Sequence, residues 1–174
     1  WMSRVARFYP DNDAIVNVPR GVRVTYSQLD KIAVKVARGL LSMGVRKGDH
    51  VAIWATNYPE WLYLLFGCAK IGAVLVTVNT AYKIHEAEYL LKQSDTHTLI
   101  MIESYRDSNY KEIIKELCPE LKNLKKGQPL HCKKLPFLRN VITVDCEIDG
   151  CYTWDEAWEL SKNVPVEEVY RRSA

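Results

Sequence analysis

Residues 68–82 read CAKIGAVLVTVNTAY, and the architecture of the chain is best inferred from this segment. A helix-like apolar segment runs into Ile71 and Gly72, and six strand-type residues, 73–78, follow at once. The strand-type run is apolar without alternation, which is typical of a central parallel strand covered on both faces. A joint this short, with a glycine where helix and strand meet, predicts a βαβ unit.

The residues before this stretch supply the rest of the unit. Residues 51–54 form a β-rich run, and Pro59 opens a helix at a position where its missing N–H costs nothing. The helical segment 59–71 is apolar almost all round, which predicts burial on more than one side. A strand, a helix and a strand therefore follow one another closely.

The same alternation continues toward the end of the chain. Helical segments and buried strand-like runs are predicted, in turn, at residues 84–93, 98–102, 108–117 and 141–144. Thr153 and Glu156 form a capping box that begins a last helix. Right-handed crossovers place helices on both faces of such a sheet. The sequence therefore predicts a doubly wound α/β fold with a mostly parallel sheet, whose strands begin near residues 51, 73, 98 and 141.

A short N-terminal β-hairpin precedes this layer. Two β-rich runs, 13–18 and 22–26, flank a Pro-Arg-Gly turn. Ser27 is predicted to cap the following helix, with Asp30 in a capping-box-like position. Gly44 ends that helix as a left-handed stop.

One rival interpretation concerns residues 61–78, which carry a single charge, Lys70, and could span a membrane. Gly67, Gly72 and the β-branched second half favour a buried helix followed by a strand.

The bulk properties describe one globular domain. Hydrophobic residues make up 48% and charged residues 26% of the 174 positions, and the net charge of +3 does not indicate nucleic-acid binding. The five cysteines are odd in number and lack C-x-x-C spacing, which favours reduced thiols in the cytoplasm over a disulfide framework. No signal peptide is predicted. The start inside an amphipathic segment, residues 1–8, predicts a piece of a longer chain.

No catalytic signature is complete. The glycines form neither a dinucleotide fingerprint nor a P-loop, and G-x-S-x-G is absent. Residues 44–49 follow a helix and precede a strand, so they are predicted to form a structural turn and not a phosphate loop. The spacings of His131, Cys132, Cys146 and Cys151 match no zinc site. No catalytic, cofactor-binding or metal-ligating residue is therefore assigned.

A basic run at residues 122–139 contains five lysines, one arginine and no acid. Such a run could attract a phosphate-bearing ligand or an anionic lipid surface. Such runs are more often solvated faces.

Three stretches carry a family resemblance. They are VTYSQL at 24–29, KGDHVAI at 47–53 with NYPEW at 57–61, and KIGAVLVTVN at 70–79. In this order and spacing they resemble the opening of the adenylate-forming enzymes, the acyl-CoA synthetase and luciferase superfamily. The later part of the chain is similar to medium-chain fatty acid–CoA ligases. The residues that carry this similarity are NTAY at 79–82 with Glu86, EYLL at 88–91, LCPEL at 117–121, and LP at 135–136 before VI at 141–142. Thr80 stands where relatives more often carry proline.

The resemblance implies that residues 1–174 are the N-terminal α/β subdomain of a larger enzyme. Such an enzyme uses ATP and Mg to convert a carboxylic acid, here a fatty acid, to an acyl-adenylate. It then transfers the acyl group to coenzyme A. The ATP-binding loop and the C-terminal lysine are expected beyond Ala174. The segment alone is therefore expected to be inactive and to bind none of these cofactors tightly. We also expect a cytoplasmic location, no nucleic-acid partner and, as a possible assembly, a homodimer.

Asn79 and Tyr82 are the candidate pocket-adjacent residues. They lie past the carboxyl end of a strand, where open α/β sheets bind ligands. The alternative is that Asn79 makes a turn and Tyr82 packs on the following helix.

Two other functions remain open from the residues alone. One is a self-contained, flavodoxin-like module that binds a nucleotide or another small molecule. The other is a non-enzymatic interaction domain that uses the basic run 122–139 as its contact surface.

Overall fold

The computed structural model describes residues 1–173. The α-helices are α1 (Met2–Phe8), α2 (Tyr26–Ser42), α3 (Pro59–Ile71), α4 (Ile84–Gln93), α5 (Tyr110–Leu117), α6 (Trp154–Glu159) and α7 (Val166–Ser173). The strands are β1 (Asp13–Asn17), β2 (Val22–Thr25), β3 (His50–Trp54), β4 (Val74–Thr77), β5 (Thr96–Met101), β6 (Ser104–Tyr105), β7 (Ser108–Asn109), β8 (Asn140–Thr143) and β9 (Tyr152–Thr153). Short 3₁₀ segments occur at Val18–Arg20, Pro119–Asn123 and Leu160–Asn163.

The main sheet has five strands in the order β4-β3-β5-β8-β9, and every neighbouring pair is parallel. The four runs predicted from the sequence lie side by side and point the same way, as expected. The two-residue strand β9 is an addition that the sequence pattern did not indicate. Its brevity explains the omission, since two residues show no periodicity.

Helices cover the sheet in two groups. The chain leaves β3 through α3 to reach β4 on one side, and it returns through α4 to β5 on the other side. Because crossovers of this kind are right-handed, a reversal of direction places α3 and α4 on opposite faces. The helices α2, α3, α6 and α7 pack on one another, and α4 packs on α5. The doubly wound α/β prediction is confirmed.

Strand β4 corrects one expectation, because it is an edge strand and not a central one. Val74 is 45% exposed, and Leu75 and Val76 are only half-buried. Within the described residues, β4 pairs with β3 alone. An apolar run predicts a strand, but in β4 it indicates neither how far the faces are covered nor the strand's place in the order of the sheet.

The start of α2 is a second correction. Thr25 is the N-cap, and its hydroxyl accepts a hydrogen bond from Gln28 N at 3.3 Å while Gln28 Oε1 accepts one from Thr25 N at 2.8 Å. This capping box begins two residues before the predicted one at Ser27. Its glutamine side chain is long enough to reach back to the cap. Asp30 has another partner, Lys70, at 2.8 Å.

The start of α5 also differs from the prediction, by two residues. Ser108–Asn109 forms β7, which pairs with β6 in a small antiparallel hairpin. Asn109 then caps the helix by accepting a hydrogen bond from Glu112 N at 3.0 Å. In the hairpin turn, Arg106 adopts φ 53°, a left-handed conformation that is uncommon for residues other than glycine.

Two apolar clusters hold the fold together. The larger one lies around the sheet, where the rings of Trp54 and Tyr110 stack with centroids 4.0 Å apart. The smaller one joins the hairpin to α1 and α2 through Met2, Ile15, Val24 and Leu29. No helix within residues 1–173 is long and apolar enough to cross a membrane. Residues 61–78, the candidate membrane span, form part of α3 followed by β4.

Candidate functional site

The strand order locates a crevice at the carboxyl edge of the sheet. The chain proceeds from β3 outward to β4 and then crosses back to β5, so the connections after β3 and β5 diverge. Open α/β sheets bind ligands at such a point of divergence. The candidate site is therefore formed by the segments 55–58 and 102–104, together with 144–146 after β8.

Tyr58 and Asp145 form the central contact of this edge. The Tyr58 hydroxyl donates a hydrogen bond to Asp145 Oδ2 at 2.6 Å, and Asp145 Oδ1 accepts one from Glu103 N at 2.7 Å. One carboxylate thus joins the segments that follow β3, β5 and β8. These two hydrogen bonds lie at the place where the strand order predicts a ligand-binding crevice.

The electrostatics of this contact keep the tyrosine protonated. Burial, followed by the hydrogen bond to Asp145 and its charge, raises the pKa of Tyr58 to about 12. The guanidinium of Arg20 acts in the opposite direction and lies 3.5 Å from the centroid of the tyrosine ring. At neutral pH the phenol is a hydrogen-bond donor and not a base. The contact between Tyr58 and Asp145 therefore holds the three segments in place, and the Tyr58 hydroxyl does not act as a nucleophile.

A groove of about 440 Å³ lies beside this contact, between the hairpin and the start of α3. Its lining is mostly apolar and consists of Ile15, Val16, Asn17, Asn57, Tyr58, Pro59, Trp61 and Leu62. The Asn17 side-chain amide donates to Asn57 O at 3.0 Å and closes one end. An apolar cleft with a few polar groups at one end suits a small ligand with an apolar body.

The helices that begin at the carboxyl edge carry their own anions or polar caps. Glu60 lies in the first turn of α3, Glu86 Oε2 accepts from Lys83 N at 3.1 Å at the start of α4, and Asn109 caps α5. At the start of α6, Glu156 Oε2 accepts from Thr153 N at 2.9 Å. A phosphate group would meet a side-chain cap at the start of α4, α5 and α6, whereas at the start of α3, which has no side-chain cap, it would meet the negative charge of Glu60. These four N-termini therefore do not fit the phosphates of ATP.

Asn79 and Tyr82 follow β4, one strand outside the crevice. Asn79 Oδ1 accepts a hydrogen bond from Ala81 N at 2.9 Å, and Asn79 O accepts from Trp54 Nε1 at 3.1 Å. Tyr82 is half-buried against the core. Neither residue lines the groove described above. The turn geometry agrees with the alternative role for Asn79, and a contact of either side chain with a ligand stays a prediction.

Sequence reasoning missed Tyr58, Asp145 and Arg20. The available signal was that Tyr58 and Asp145 come just after strand-like runs, as Asn79 does. Which of these strand ends face one another depends on the strand order, and a single sequence does not contain it. Arg20 comes from the hairpin, which has no place in the sheet pattern.

Three of the five thiols, Cys68, Cys146 and Cys151, are poorly suited to act as catalytic nucleophiles. Burial raises the pKa of Cys68 and Cys151 to about 12, and mainly burial raises that of Cys146 to about 11. Thiols of this kind are poor nucleophiles at neutral pH. Among residues 1–173, no three His, Cys, Asp or Glu side chains come close enough to hold a metal ion.

The basic run 122–139 is a packed segment with charged side chains on its surface. Leu130, Cys132, Leu135 and Leu138 are buried, and Arg139 N donates to His97 O at 2.8 Å. Lys126 is bound to both carboxylate oxygens of Glu156, at 2.7 and 2.8 Å. These contacts fix the path of the segment over the core.

The strand order defines the class of the domain: a doubly wound α/β domain with a crevice at the carboxyl edge of a parallel sheet. Residues 2–150 match the family described as AMP-binding enzyme. The chain belongs to this family.

Curated relatives are similar over almost the whole chain. YngI of Bacillus subtilis (strain 168), a protein named as an acyl-CoA synthetase, is 48% identical over 172 residues, which are 98% of this chain and 31% of YngI. The human mitochondrial medium-chain acyl-CoA ligase ACSF2 is 35% identical over 155 residues, which are 89% of this chain and 25% of ACSF2. The chain thus spans about a third or less of the length of these relatives.

A solved structure shares the fold. The N-terminal domain of FACL13 from Mycobacterium tuberculosis superposes with a TM-score of 0.69 at 23% identity, covering 95% of this chain and 36% of that domain. At this identity the likeness concerns the fold alone.

Proposed function

We propose that the chain is the N-terminal α/β part of an acyl-CoA synthetase that forms AMP. The enzyme would activate a carboxylic acid with ATP to an acyl-adenylate and pyrophosphate, and would then transfer the acyl group to coenzyme A. The observation that carries the proposal is the 48% identity to YngI across 98% of this chain. The family match over residues 2–150 supports the same assignment.

The physical chemistry of the described residues suits a supporting part better than a reaction centre. Adenylate formation needs a metal, a phosphate-embracing loop and a cation to neutralise the charge that develops at phosphorus. The helix N-termini at the carboxyl edge already carry Glu60, Glu86 and Glu156. In this proposal the residues that hold ATP, Mg and coenzyme A lie outside the chain, and the segment alone is inactive.

Residues 1–174 would then act as one subdomain that contributes a wall of the acid-binding region. Asn79 and Tyr82 are proposed to lie near that region. In the complete enzyme, Asn79→Ala should raise KM for the acid at least about threefold with kcat little changed, if the side chain supports ground-state binding. Unchanged KM together with lower stability would leave Asn79 with its turn role only.

The substrate is proposed to be a fatty acid, since the ACSF2 relatives are named medium-chain acyl-CoA ligases.

A cytoplasmic location is proposed on the five free thiols. Because the ACSF2 relatives are named as mitochondrial, cell fractionation tests this location. Recovery of the protein in the mitochondrial fraction would overturn the proposed location and leave the proposed activity unaffected. A homodimer is the proposed assembly, and sedimentation of the complete enzyme tests it.

The test uses the protein encoded by the complete reading frame. It is incubated with ATP, Mg, coenzyme A and a series of fatty acids, and AMP and acyl-CoA are measured by mass spectrometry. Acid-dependent AMP release with matching acyl-CoA is the expected result. Failure of every acid to release AMP from a folded, ATP-binding protein would overturn the proposal.

A second function has one observation in its favour. In the main sheet the second strand in the chain, β4, lies at the edge, next to the first strand, β3. Flavodoxin-like proteins have this strand order and bind their ligand at the same switch point. A self-contained module of this type would bind a nucleotide or flavin without any further residues. The enzyme segment would not, and this difference is measurable.

A further inference from the structure

Two cysteines that are fourteen residues apart meet in the interior. The sulfur atoms of Cys118 and Cys132 are 2.8 Å apart, and both residues are buried, with 0% and 3% of their surface exposed. A disulfide bond is about 2.05 Å long. The two sulfurs therefore need to approach by under about 1 Å to reach bonding distance.

The surroundings orient the pair. Cys118 directly follows α5, and Cys132 lies in the basic run 122–139. Cys132 Sγ donates to Leu117 O at 3.3 Å and accepts from Leu135 N at 3.4 Å, so its position is fixed from both sides. Neither cysteine belongs to the crevice at the carboxyl edge.

A cavity lies next to one of the two cysteines, Cys118. A pocket of about 380 Å³ is lined by Lys111, Lys115, Cys118, Leu121, Lys122, Glu147, Ile148 and Asp149. Three lysines and two acids are in this lining, and two of the lysines, Lys111 and Lys115, form ion pairs with Glu103 and Glu112. Because Cys118 is fully buried beneath this cavity, a low-molecular-weight reagent reaches its sulfur after a local opening of the lining.

We propose that Cys118 and Cys132 are a modification site that forms an intramolecular disulfide, with a low-molecular-weight disulfide such as glutathione disulfide as the oxidant. The Cys118 thiolate attacks one sulfur of the oxidant and releases one thiol. Cys132 then loses its proton and attacks the Cys118 sulfur of the mixed disulfide, which releases the second thiol. Two protein thiols are oxidised, and one external disulfide is reduced to two thiols.

Proximity makes the second step the favoured outcome. Once Cys118 carries a mixed disulfide, the thiol beside it competes at a very high effective concentration with any thiol in solution. The first step is slow at neutral pH, because burial raises the pKa of the Cys118 thiol and the thiolate is the attacking species. Formation is expected over minutes to hours and faster as the pH rises.

The new bond would tether the basic run to α5. It closes a ring that contains Lys122, Lys125 and Lys126, so oxidation restricts the motion of these lysines. A disulfide across a loop of this length reduces the freedom of the unfolded chain. The oxidised protein should therefore melt about 6–12 °C higher than the reduced protein. This inference does not depend on the proposed function.

The test is a disulfide map under native conditions. The protein is equilibrated with glutathione disulfide, free thiols are blocked with N-ethylmaleimide in acid, and non-reduced tryptic peptides are analysed by mass spectrometry. We expect peptides 116–122 and 127–133 joined by one bond, at more than about tenfold excess over any other pair. Cys146→Ser is the matched control and should keep the linked pair and the rise in melting temperature. Cys132→Ser should lose both.

Three outcomes would overturn the proposal. One is full recovery of both cysteines as maleimide adducts after equilibration with the oxidant. Another is a link from Cys118 to Cys151 in place of Cys132. The third is an equal distribution over all pairs. These outcomes are read in the unsubstituted protein, so the result stands even if the Cys132→Ser variant fails to fold.

Discussion

Tyr58 and Asp145 are 87 residues apart in the chain, yet their side chains are joined by a 2.6 Å hydrogen bond across the carboxyl edge of the sheet. The same carboxylate accepts a hydrogen bond from Glu103 N at 2.7 Å. Three connections that leave neighbouring strands are thereby held in one arrangement. These hydrogen bonds therefore join the three connections at the point where the strand order predicts a ligand-binding crevice.

Tyr58→Phe tests the strength of this tie. The substitution keeps the ring under Arg20 and removes only the hydroxyl, so we expect the free energy of unfolding to fall by about 1 kcal/mol. Urea denaturation followed by circular dichroism gives the value. Tyr89→Phe is the control, since Tyr89 is 69% exposed on α4. Equal stabilities of the two variants would mean that the hydrogen bond contributes nothing.

The pH dependence of this contribution has a definite sign. The pKa of Tyr58 is about 12 in the fold and near 10 in the unfolded chain, so the folded state keeps the proton where the unfolded state has lost it. The stabilising effect is therefore complete below pH 10 and is lost as the pH rises toward 12. The difference in unfolding free energy between the unsubstituted protein and Tyr58→Phe should shrink across this window. A difference that stays constant or grows up to pH 12 would refute the assigned cause.

The contact between α2 and α3 depends on Gly67. A β-carbon at this position would lie 2.5 Å from Val36 Cγ1 and 2.9 Å from Val36 Cβ. Although alanine favours helices, Gly67→Ala should therefore destabilise the protein by about 1–3 kcal/mol. Adding Val36→Ala removes the clashing methyl groups, so the double variant should lose less stability than the two single losses combined. Thermal unfolding of the four proteins measures the coupling, and simple additivity would argue against this close approach.

A buried ion pair links the first three helices. Lys70 Nζ lies 2.8 Å from Asp30 Oδ1 and 2.9 Å from Ser3 Oγ, and the Lys70 side chain is only 9% exposed. Lys70→Met should cost about 2–3 kcal/mol, because the Asp30 carboxylate loses its counter-ion in a partly buried place. Lys92→Met, an exposed position on α4, is the control and should change stability by under about 0.5 kcal/mol.

The coupling between Lys70 and Asp30 is measured by a double-mutant cycle with Asp30→Asn. We expect an interaction free energy of about 1 kcal/mol or more, since the two groups are in direct contact. An interaction near zero would show that the pair is only a geometric coincidence.

Much of the fold could be predicted from sequence because local patterns report local structure. The helix of α4 has the predicted bounds, and Thr153 and Glu156 form the predicted capping box. The residues 73–78 were correctly predicted as a strand but wrongly as a central one. The pattern of side chains shows that a strand's faces are apolar, and it contains nothing about which strands are its neighbours.

The candidate site was harder to predict for the same reason. The crevice depends on the order of strands and on a hairpin that contributes Arg20 from outside the sheet. The pairing of Tyr58 with Asp145, and that of Cys118 with Cys132, joins residues whose separation in sequence has no characteristic spacing. Such contacts are produced by the topology of the whole domain.

The central claim is that this domain supplies scaffold and pocket wall, while the nucleotide is held by residues outside it. Isothermal titration calorimetry of the 174-residue chain with ATP and Mg tests it most directly, with AMP and a flavin as comparison ligands. We expect no binding of any of the three tighter than about 1 mM, since the helix N-termini at the carboxyl edge carry their own acids. Binding of ATP, AMP or the flavin in the micromolar range would overturn this claim and would identify a self-contained nucleotide-binding module.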